Sequence, residues 1–420
     1  EAGGVVTGLE RIDPDQVRRH TRPVVDLEAM KTAIDIVEDV RSGGESALRH
    51  HAQTLGDIVA GDELAHDRDS LTAAAESLEP VHLATLQRTR DRIARFAQAQ
   101  LDGLSDLDVS VEGGRAGHRW IPVSRVGAYA PGGRHPLPSS VLMTVVPARV
   151  AGAESIWVAS PRPTPATLAA AAVAGADGLL TVGGAQAIAA LAFGVVTPRS
   201  DIIVGPGNKW VTAAKKHLFG EVGIDGLAGP SEILVIADDG ADPDLVAADL
   251  LAQAEHDVDA IPILVTTSAT FADAVDIRIQ SQLRDLPTSA TATTALGNGF
   301  ATVVSDLAEA AGIADLLAPE HLALHVAPAE ETADRLRSYG SLFIGAGSAE
   351  AFADYGVGPN HVLPTGGGAR FQSGLSVMTF LRSPTWSRLD DPASIVEDTV
   401  TLARMEGLEA HARAALRRVP

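Results

Sequence analysis

Cysteine is absent from the 420-residue chain. Its absence excludes disulfides, thiolate metal sites and any cysteine nucleophile. A metal bound here must draw its ligands from His, Asp, Glu, Gln or Asn. Lysine is nearly absent too: 4 of the 33 basic residues are Lys, against 33 Asp and 21 Glu, and the formal charge is −21. Phosphate recognition needs clustered Lys and Arg, so nucleic acid is excluded as a partner. An acidic, lysine-poor surface suits a high-salt cytoplasm, where salt screens the self-repulsion. GC-rich coding bias would favour Arg over Lys in the same way, and both readings stay open. No apolar run approaches the roughly 18 residues of a membrane span. No secretory signal is recognisable either, so the expected location is cytoplasmic. The start at Glu1 leaves N-terminal processing open.

The length allows two or more domains, each with its own core. The first 110 residues read as helical. "LEAMKTAIDIVEDVRSGGESALRHHAQ" carries helical periodicity broken at Gly43–Gly44. "DSLTAAAESLEPVHLATLQRTRDRIARFAQAQ" is a second helical stretch with Pro80 inside it. From "RWIPVSRVGAYAPGG" onward, short apolar runs alternate with helical ones. Strands are predicted at 155–159, 179–182, 201–204 and 232–237, and in a second series at 262–266, 301–304, 322–326 and 341–344. Buried strands alternating with helices imply parallel sheets. The expected fold class is α/β, with two Rossmann-like parallel units, a helical N-terminal segment and an amphipathic helical tail broken at Gly407.

Gly-rich turns are numerous: "APGGR" 130–134, "VGGAQ" 182–186, "VGPGN" 204–208, "LAGPSE" 227–232 and "GVGPN" 356–360. Several directly follow a predicted strand, and in open α/β sheets ligands bind at the carboxyl ends of strands. Taken singly, each turn is better explained as a tight turn. Several nonetheless carry a polar residue just after the glycines: Gln186, Asn208, Ser231 and Asn360. The dinucleotide signature G-x-G-x-x-G is missing, and "GAGSAE" at 345–350 has only its first half.

The helical run "PDLVAADLLAQAEHD" ends in a cluster of Gln253, Glu255, His256 and Asp257. Gln253 and His256 are three apart, so a helix sets them on one face. They are either a solvated helix end or half of a site. Of the thirteen histidines, His256, His321 (in "APEHLALH"), His361 (in "GPNHVLP") and His411 (in "EGLEAHARA") stand out. His325 alternates with His321 as on a strand, which predicts a core-facing or edge position. Glu320–His321 is an acid/base candidate, because histidine exchanges protons near neutrality and a carboxylate can activate water. Such pairs are also common by chance.

Together these segments resemble the histidinol dehydrogenase family, from about residue 20 to the C-terminus. The resemblance rests on eight motifs in order: "VGAYAPGGRHPLPSSVLMTVVPARVAGA", "VGGAQAIAALAFG", "DIIVGPGNKWVTAAKKHLFG", "IDGLAGPSEILVIAD", "LLAQAEHD", "APEHLAL", "FADYGVGPNHVLPTGGGARFQSGLSV" and "EGLEAHARA". It implies a zinc- and NAD-dependent oxidation of L-histidinol to L-histidine, using two NAD and one zinc, as the last step of histidine biosynthesis. Residue by residue, it assigns zinc to Gln253, His256, Asp354 and His411. It assigns substrate contacts to Ser231, Glu320, His321, His361 and Glu406 as well as the four zinc ligands, and NAD contacts to Tyr129, Gln186 and Asn208. Within that assignment His321 is the base for the alcohol proton. With no cysteine available, water must add to the aldehyde, and Glu320 activates it. The resemblance further implies a homodimer in which the tail reaches the partner's site. It groups residues 21–125 with 233–371 as one domain, 126–232 as the NAD-contacting domain, 1–20 as an N-terminal segment and 372–420 as the tail. Leu137 stands where many members carry tyrosine, Thr144 where asparagine is common, and Gly226 where methionine is usual. Two rival readings remain: an enzyme of the same fold acting on another alcohol such as sulfopropanediol, and a zinc hydrolase without NAD. Glu406 suits the cationic amino group of histidinol better than a sulfonate.

Overall fold

Runs such as "EILVIA" and "IPILVT" are apolar at successive positions, so both faces of those strands must be covered. The computed structural model, which describes residues 8–20, 25–132 and 136–419, covers them with helices. Part of the "APGGR" turn and residues 1–7 of the expected helical N-terminal segment lie outside the described residues; the rest of that segment holds a short strand, Glu10–Arg11, and a 3-10 helix, Pro14–His20. In chain order, β1 (Glu10–Arg11) and helix α1 (Leu27–Thr54) come first, then β2 (Ala65–Asp67), α2 (Arg68–Ser77) and α3 (Pro80–Asp102). Next are β3 (Leu107–Val111), β4 (Gly114–His118), β5 (Ile121–Pro122) and β6 (Arg125–Tyr129). Alternation follows: α4 (Pro138–Ala151), β7 (Ser155–Ala159), α5 (Pro165–Ala174), β8 (Gly178–Leu180), α6 (Gly184–Phe193), β9 (Ile202–Val204), α7 (Lys209–Leu218) and β10 (Gly223–Ile224). A second series runs β11 (Glu232–Ala237), α8 (Pro243–Ala254), β12 (Ile261–Thr266), α9 (Ala269–Leu283), α10 (Ser289–Leu296) and β13 (Phe300–Val303). It continues with α11 (Leu307–Leu317), β14 (His321–His325), α12 (Ala329–Ala333), β15 (Ser341–Ile344) and α13 (Glu350–Asp354). The chain closes with β16 (Leu381–Arg382), β17 (Thr385–Leu389), α14 (Ala393–Met405) and α15 (Glu409–Leu416).

Two six-stranded sheets result. Sheet I has the order β10-β9-β6-β7-β8-β2 and sheet II the order β1-β13-β12-β11-β14-β15. All pairings are parallel except β2 with β8. All eight predicted strands are present within a residue or two of their expected ends. In sheet I the chain runs from β6 outward to β7 and β8, then returns to β9 on the other side, so the topology switches between β6 and β9. In sheet II the switch falls between β11 and β14.

Each sheet has a core on both faces. On sheet I, Val126, Val158 and Leu179 pack with α4 residues such as Val141 and Leu142. Its other face holds Leu180 and Ile203 with Val37 of α1 and Ile188 of α6. On sheet II, Ile233 and Val235 pack with Leu250, and Leu234 and Ile236 with Ala314. Helices α1, α2 and α3 pack on α6 and α7, α5, and α4 respectively. Residues 27–102, which the resemblance groups with 233–371, pack on helices that flank sheet I.

Local chemistry explains the boundaries. Asp26 caps α1 through the backbone N–H groups of Glu28 and Ala29 (2.9 and 3.1 Å). Gly44 (φ 57°) makes the expected break. Pro80 does not interrupt a helix but starts α3, where its missing N–H costs nothing. Gly407 (φ 75°) separates α14 from α15, as expected. Beyond expectation, β3, β4 and β17 form a small antiparallel sheet. Among the described residues, no helix is long and apolar enough to cross a membrane.

Candidate functional site

The last turn of α8 brings its end to the amino ends of β11 and β14, since α8 runs back antiparallel to the strand it follows. Gln253 is fully buried there. Its Oε1 lies 3.1 Å from Nδ1 of His321, the first residue of β14. The same Nδ1 is 3.2 Å from the Glu232 carbonyl. Both neighbours are acceptors, so Nδ1 carries the hydrogen and donates. Nε2 of His321 is buried with no hydrogen-bond partner, as is Nε2 of Gln253. Burial pushes the His321 imidazolium down to about 4, so the ring is neutral at physiological pH with its Nε2 lone pair free.

Glu320 lies just before β14 and is buried. Its Oε2 accepts the Glu232 N–H at 3.0 Å, and Ser231 also hydrogen-bonds to it. Burial raises this carboxyl well above its usual range, and the nearby Glu232 and Asp354 charges add to the rise. Glu232 accepts from the Gly366 N–H at 3.0 Å, and burial raises its carboxyl to about 7.

A second group faces these residues. His256, just past the end of α8, places Nε2 3.5 Å from Asp354 Oδ2. His361 Nδ1 is 3.1 Å from the Asp354 carbonyl and 3.8 Å from its carboxylate. Burial opposes the Asp354 charge, but the hydrogen bond from His256 and the histidines around it outweigh burial and hold this carboxyl low. The same bond to Asp354 raises His256, whereas burial lowers His361.

Sequence reasoning missed Glu350. Its Oε1 is 3.4 Å from His321 Nδ1 and its Oε2 is buried without a partner. Ligand atoms of His256, Glu350 and Asp354 lie within 4.8 Å of one another. Burial, then the Asp354 and Glu320 charges, raises Glu350 well above its usual range. The signal was available: Glu350 and Asp354 are four apart, which puts both on one face of a helix. Within "AQAEHD", by contrast, Glu255 accepts from the Thr288 hydroxyl at 2.6 Å and Asp257 from the Asp259 N–H at 3.1 Å. Those two acids stabilise turns. His325 is buried, as its strand position predicts, and pairs with Asp249 at 2.9 Å.

Glu406 and His411 are exposed on the tail, and His411 falls outside the His256–Glu350–Asp354 group. The tail helices bury Val396, Val400, Ala403 and Ala412 in a small cluster of their own.

The NAD-contact candidates lie at the carboxyl end of sheet I. Tyr129 ends β6, and its hydroxyl accepts the Gly184 N–H at 3.2 Å. Burial pushes this phenol up to about 12. Gln186 donates from Nε2 to Asp57 at 3.0 Å, while its Oε1 is buried without a partner. Asp57, also unread in the sequence, takes the Gly183 N–H at 2.9 Å as well. Asn208 follows β9 and caps α7, accepting from the N–H groups of Trp210 and Val211 (both 3.2 Å). Thr144 turns onto its own helix, donating to the Ser140 carbonyl at 2.7 Å.

The two regions meet. Ser140, in the first turn of α4 beyond β6, has its hydroxyl 3.3 Å from His361 Nε2. The arrangement thus joins the carboxyl end of sheet I to the amino end of sheet II. Tyr129, Gln186 and Asn208 lie at the carboxyl ends of sheet I strands, where such sites are expected. Glu320 and His321 lie instead at the amino end of β14, where the loops 227–232 and 356–366 and the end of α8 converge.

A neutral buried histidine, a buried carboxyl beside it and a facing His/Asp/Glu group, set between two parallel α/β sheets, form an arrangement suited to proton transfer. The sequence profile of the histidinol dehydrogenase family matches residues 20–419. The chain is 44% identical over 392 residues to histidinol dehydrogenase of Haloarcula marismortui, covering 91% of this chain and 92% of that one. It is 45% identical over 383 residues to the Thermus thermophilus enzyme, covering 90% and 92%. The crystal structure of histidinol dehydrogenase from Elizabethkingia anophelis superposes with a TM-score of 0.90 at 33% identity, over 98% of both chains. The chain belongs to the histidinol dehydrogenase family and is an oxidoreductase.

Proposed function

We propose that the chain oxidises L-histidinol to L-histidine through the aldehyde, with zinc and two NAD, as the last step of histidine biosynthesis. The observation that carries this reading is His321: Nδ1 held, Nε2 free and the ring kept neutral. That is the state required of a general base.

Gln253, His256 and Asp354 fit a zinc site without thiolates. They offer an amide oxygen, an imidazole and a carboxylate, and the buried, unpartnered Oε2 of the neighbouring Glu350 fits a cluster built around a cation. His411 supplies the fourth ligand from a second copy of the chain, and Glu406 of that tail meets the substrate's amino group. When bound, zinc would orient the substrate's polar groups and NAD would supply the hydride acceptor. Tyr129, Gln186 and Asn208 hold the NAD.

The chain's own residues handle the protons. In the first oxidation, His321 Nε2 takes the alcohol proton. The aldehyde must then become tetrahedral: Glu320 takes a proton from the water that adds, His321 returns its proton to the carbonyl oxygen, and His321, neutral again, takes the hydrate's proton in the second oxidation. Ser231 and the Glu232 N–H keep the Glu320 carboxylate oriented. His361, held by Asp354 and Ser140, lines the substrate's side. The test is stoichiometry: two NADH formed per L-histidinol consumed, lost on chelation and restored by zinc. One NADH per alcohol, or activity that survives removal of all metal, refutes the reading.

A further inference from the structure

Lysine is so rare here that each one invites a reason. Three of the four sit on α7, and Lys215 is the buried one, its side chain 3% exposed. Its ammonium pairs with Asp225, whose side chain is 6% exposed. The same ammonium donates to the Gly205 carbonyl at 3.1 Å, and the other Asp225 oxygen accepts the Gly205 N–H at 2.7 Å. One residue of the turn after β9 is thus gripped at both its N–H and its C=O by one buried ion pair. Gly205 needs such a grip. Its φ is +111°, and a Cβ there would run into the Tyr129 carbonyl. The turn "VGPGN" is therefore pressed against the end of β6 at the switch point, with Tyr129 on one side and Asn208 on the other.

The grip also reaches the substrate side. Asp225 opens the segment that runs to Ser231 and Glu232. One turn earlier on α7, Thr212 donates to the Ala228 carbonyl at 2.6 Å, and the Gly229 N–H reaches Thr365 at 2.6 Å. A buried ion pair is no economical way to stabilise a fold, since apolar residues of similar volume usually serve as well. What an apolar pair could not do is hold both polar groups of Gly205.

We propose that Lys215 and Asp225 are positioning residues that fix the 204–208 turn for the dinucleotide and register it against the Ser231–Glu232 wall. The proposal rests on the cofactor assignment above. The test compares wild type with Lys215→Met/Asp225→Leu, which removes both charges and leaves neither unpaired. Melting temperature, zinc content, NAD affinity by calorimetry, and KM and kcat are read on each. The double variant should fold and hold zinc as wild type does. It should bind NAD roughly 10- to 100-fold more weakly, with KM for NAD rising more than kcat falls. Lys215→Met/Asp225→Asn, which also removes both charges but keeps an acceptor for the Gly205 N–H, covers the case in which the first double variant fails to fold. It should weaken NAD binding in the same direction by a smaller factor. Wild-type NAD affinity in either folded variant overturns the proposal and leaves the cofactor assignment standing. Wild-type protein that binds no NAD overturns the assignment and the proposal together.

Discussion

At the scale of single residues, Glu320 and His321 are neighbours in sequence with different tasks, and variants should separate them. His321→Ala should keep zinc and slow both oxidations by roughly 100-fold or more, the usual worth of a general base. Glu320→Gln should slow aldehyde oxidation far more than alcohol oxidation, because only the second needs water activated. Single-turnover NADH formation from L-histidinol and from the aldehyde checks both, and equal losses in the two halves would contradict the division. Glu232 gives a pH test of stability. Its folded carboxyl is raised to about 7 by burial, against about 4.5 for the free group. Between those values the unfolded chain has lost the proton and the folded chain still holds it, so stability falls as pH rises through this window. For metal-free protein, Glu232→Gln should remove a loss of at most about 3 kcal/mol between pH 4.5 and 7. His321 acts with the opposite sign: its depressed folded value, about 4, costs stability as pH falls below the ordinary 6.5. Urea denaturation across this range reads both, and parallel curves for wild type and variant would refute the Glu232 claim.

At the scale of elements, the sequence shows strands most clearly where both faces are buried. "EILVIA" and "IPILVT" have no competing pattern. The central strand β6 is not legible because Gly127 interrupts it, and that glycine is required: a Cβ there would meet Ser200 and Leu191. β3 and β4 escape for another reason. "GRAGH" has little strand propensity, and its pairing with β17 joins residues about 270 apart, which local pattern does not register. The site shows the same division. Gln253, His256, Glu320, His321 and Asp354 are legible through motifs. Asp57 and Asp249 are not, because each works through a partner far away in sequence. Helix caps are local and readable. Thr164 caps α5 by accepting the Thr167 N–H at 3.2 Å, so Thr164→Ala should cost about 1 kcal/mol by thermal unfolding, with activity unchanged.

At the scale of the whole molecule, the tail presents Leu402, Met405 and Leu408 as exposed side chains after both sheets are complete. An apolar face of this kind must be covered by something. A two-fold dimer of the kind the proposed function calls for would cover it and would bring Glu406 and His411 to the partner's site. Mixing inactive His256→Ala with inactive His411→Ala protein through unfolding and reassembly tests this. With crossing tails, each mixed dimer holds one intact site, so about a quarter of all sites should recover. Mixed dimers confirmed by mass spectrometry yet inactive would refute the crossing. The net charge of −21 bears on salt. If the surface is adapted to high salt, stability should rise steeply with KCl as repulsion is screened, and a flat profile leaves coding bias as the explanation.

The scarcity of lysine also decides how the protein meets reagents. Among side chains, acylating agents can attack Lys31 on α1 and Lys209 and Lys216 on α7, all exposed, but not the enclosed Lys215. Those two helices pack against each other. Coupling to an activated resin therefore anchors the chain chiefly through one small region, beside the turn that ends in Asn208.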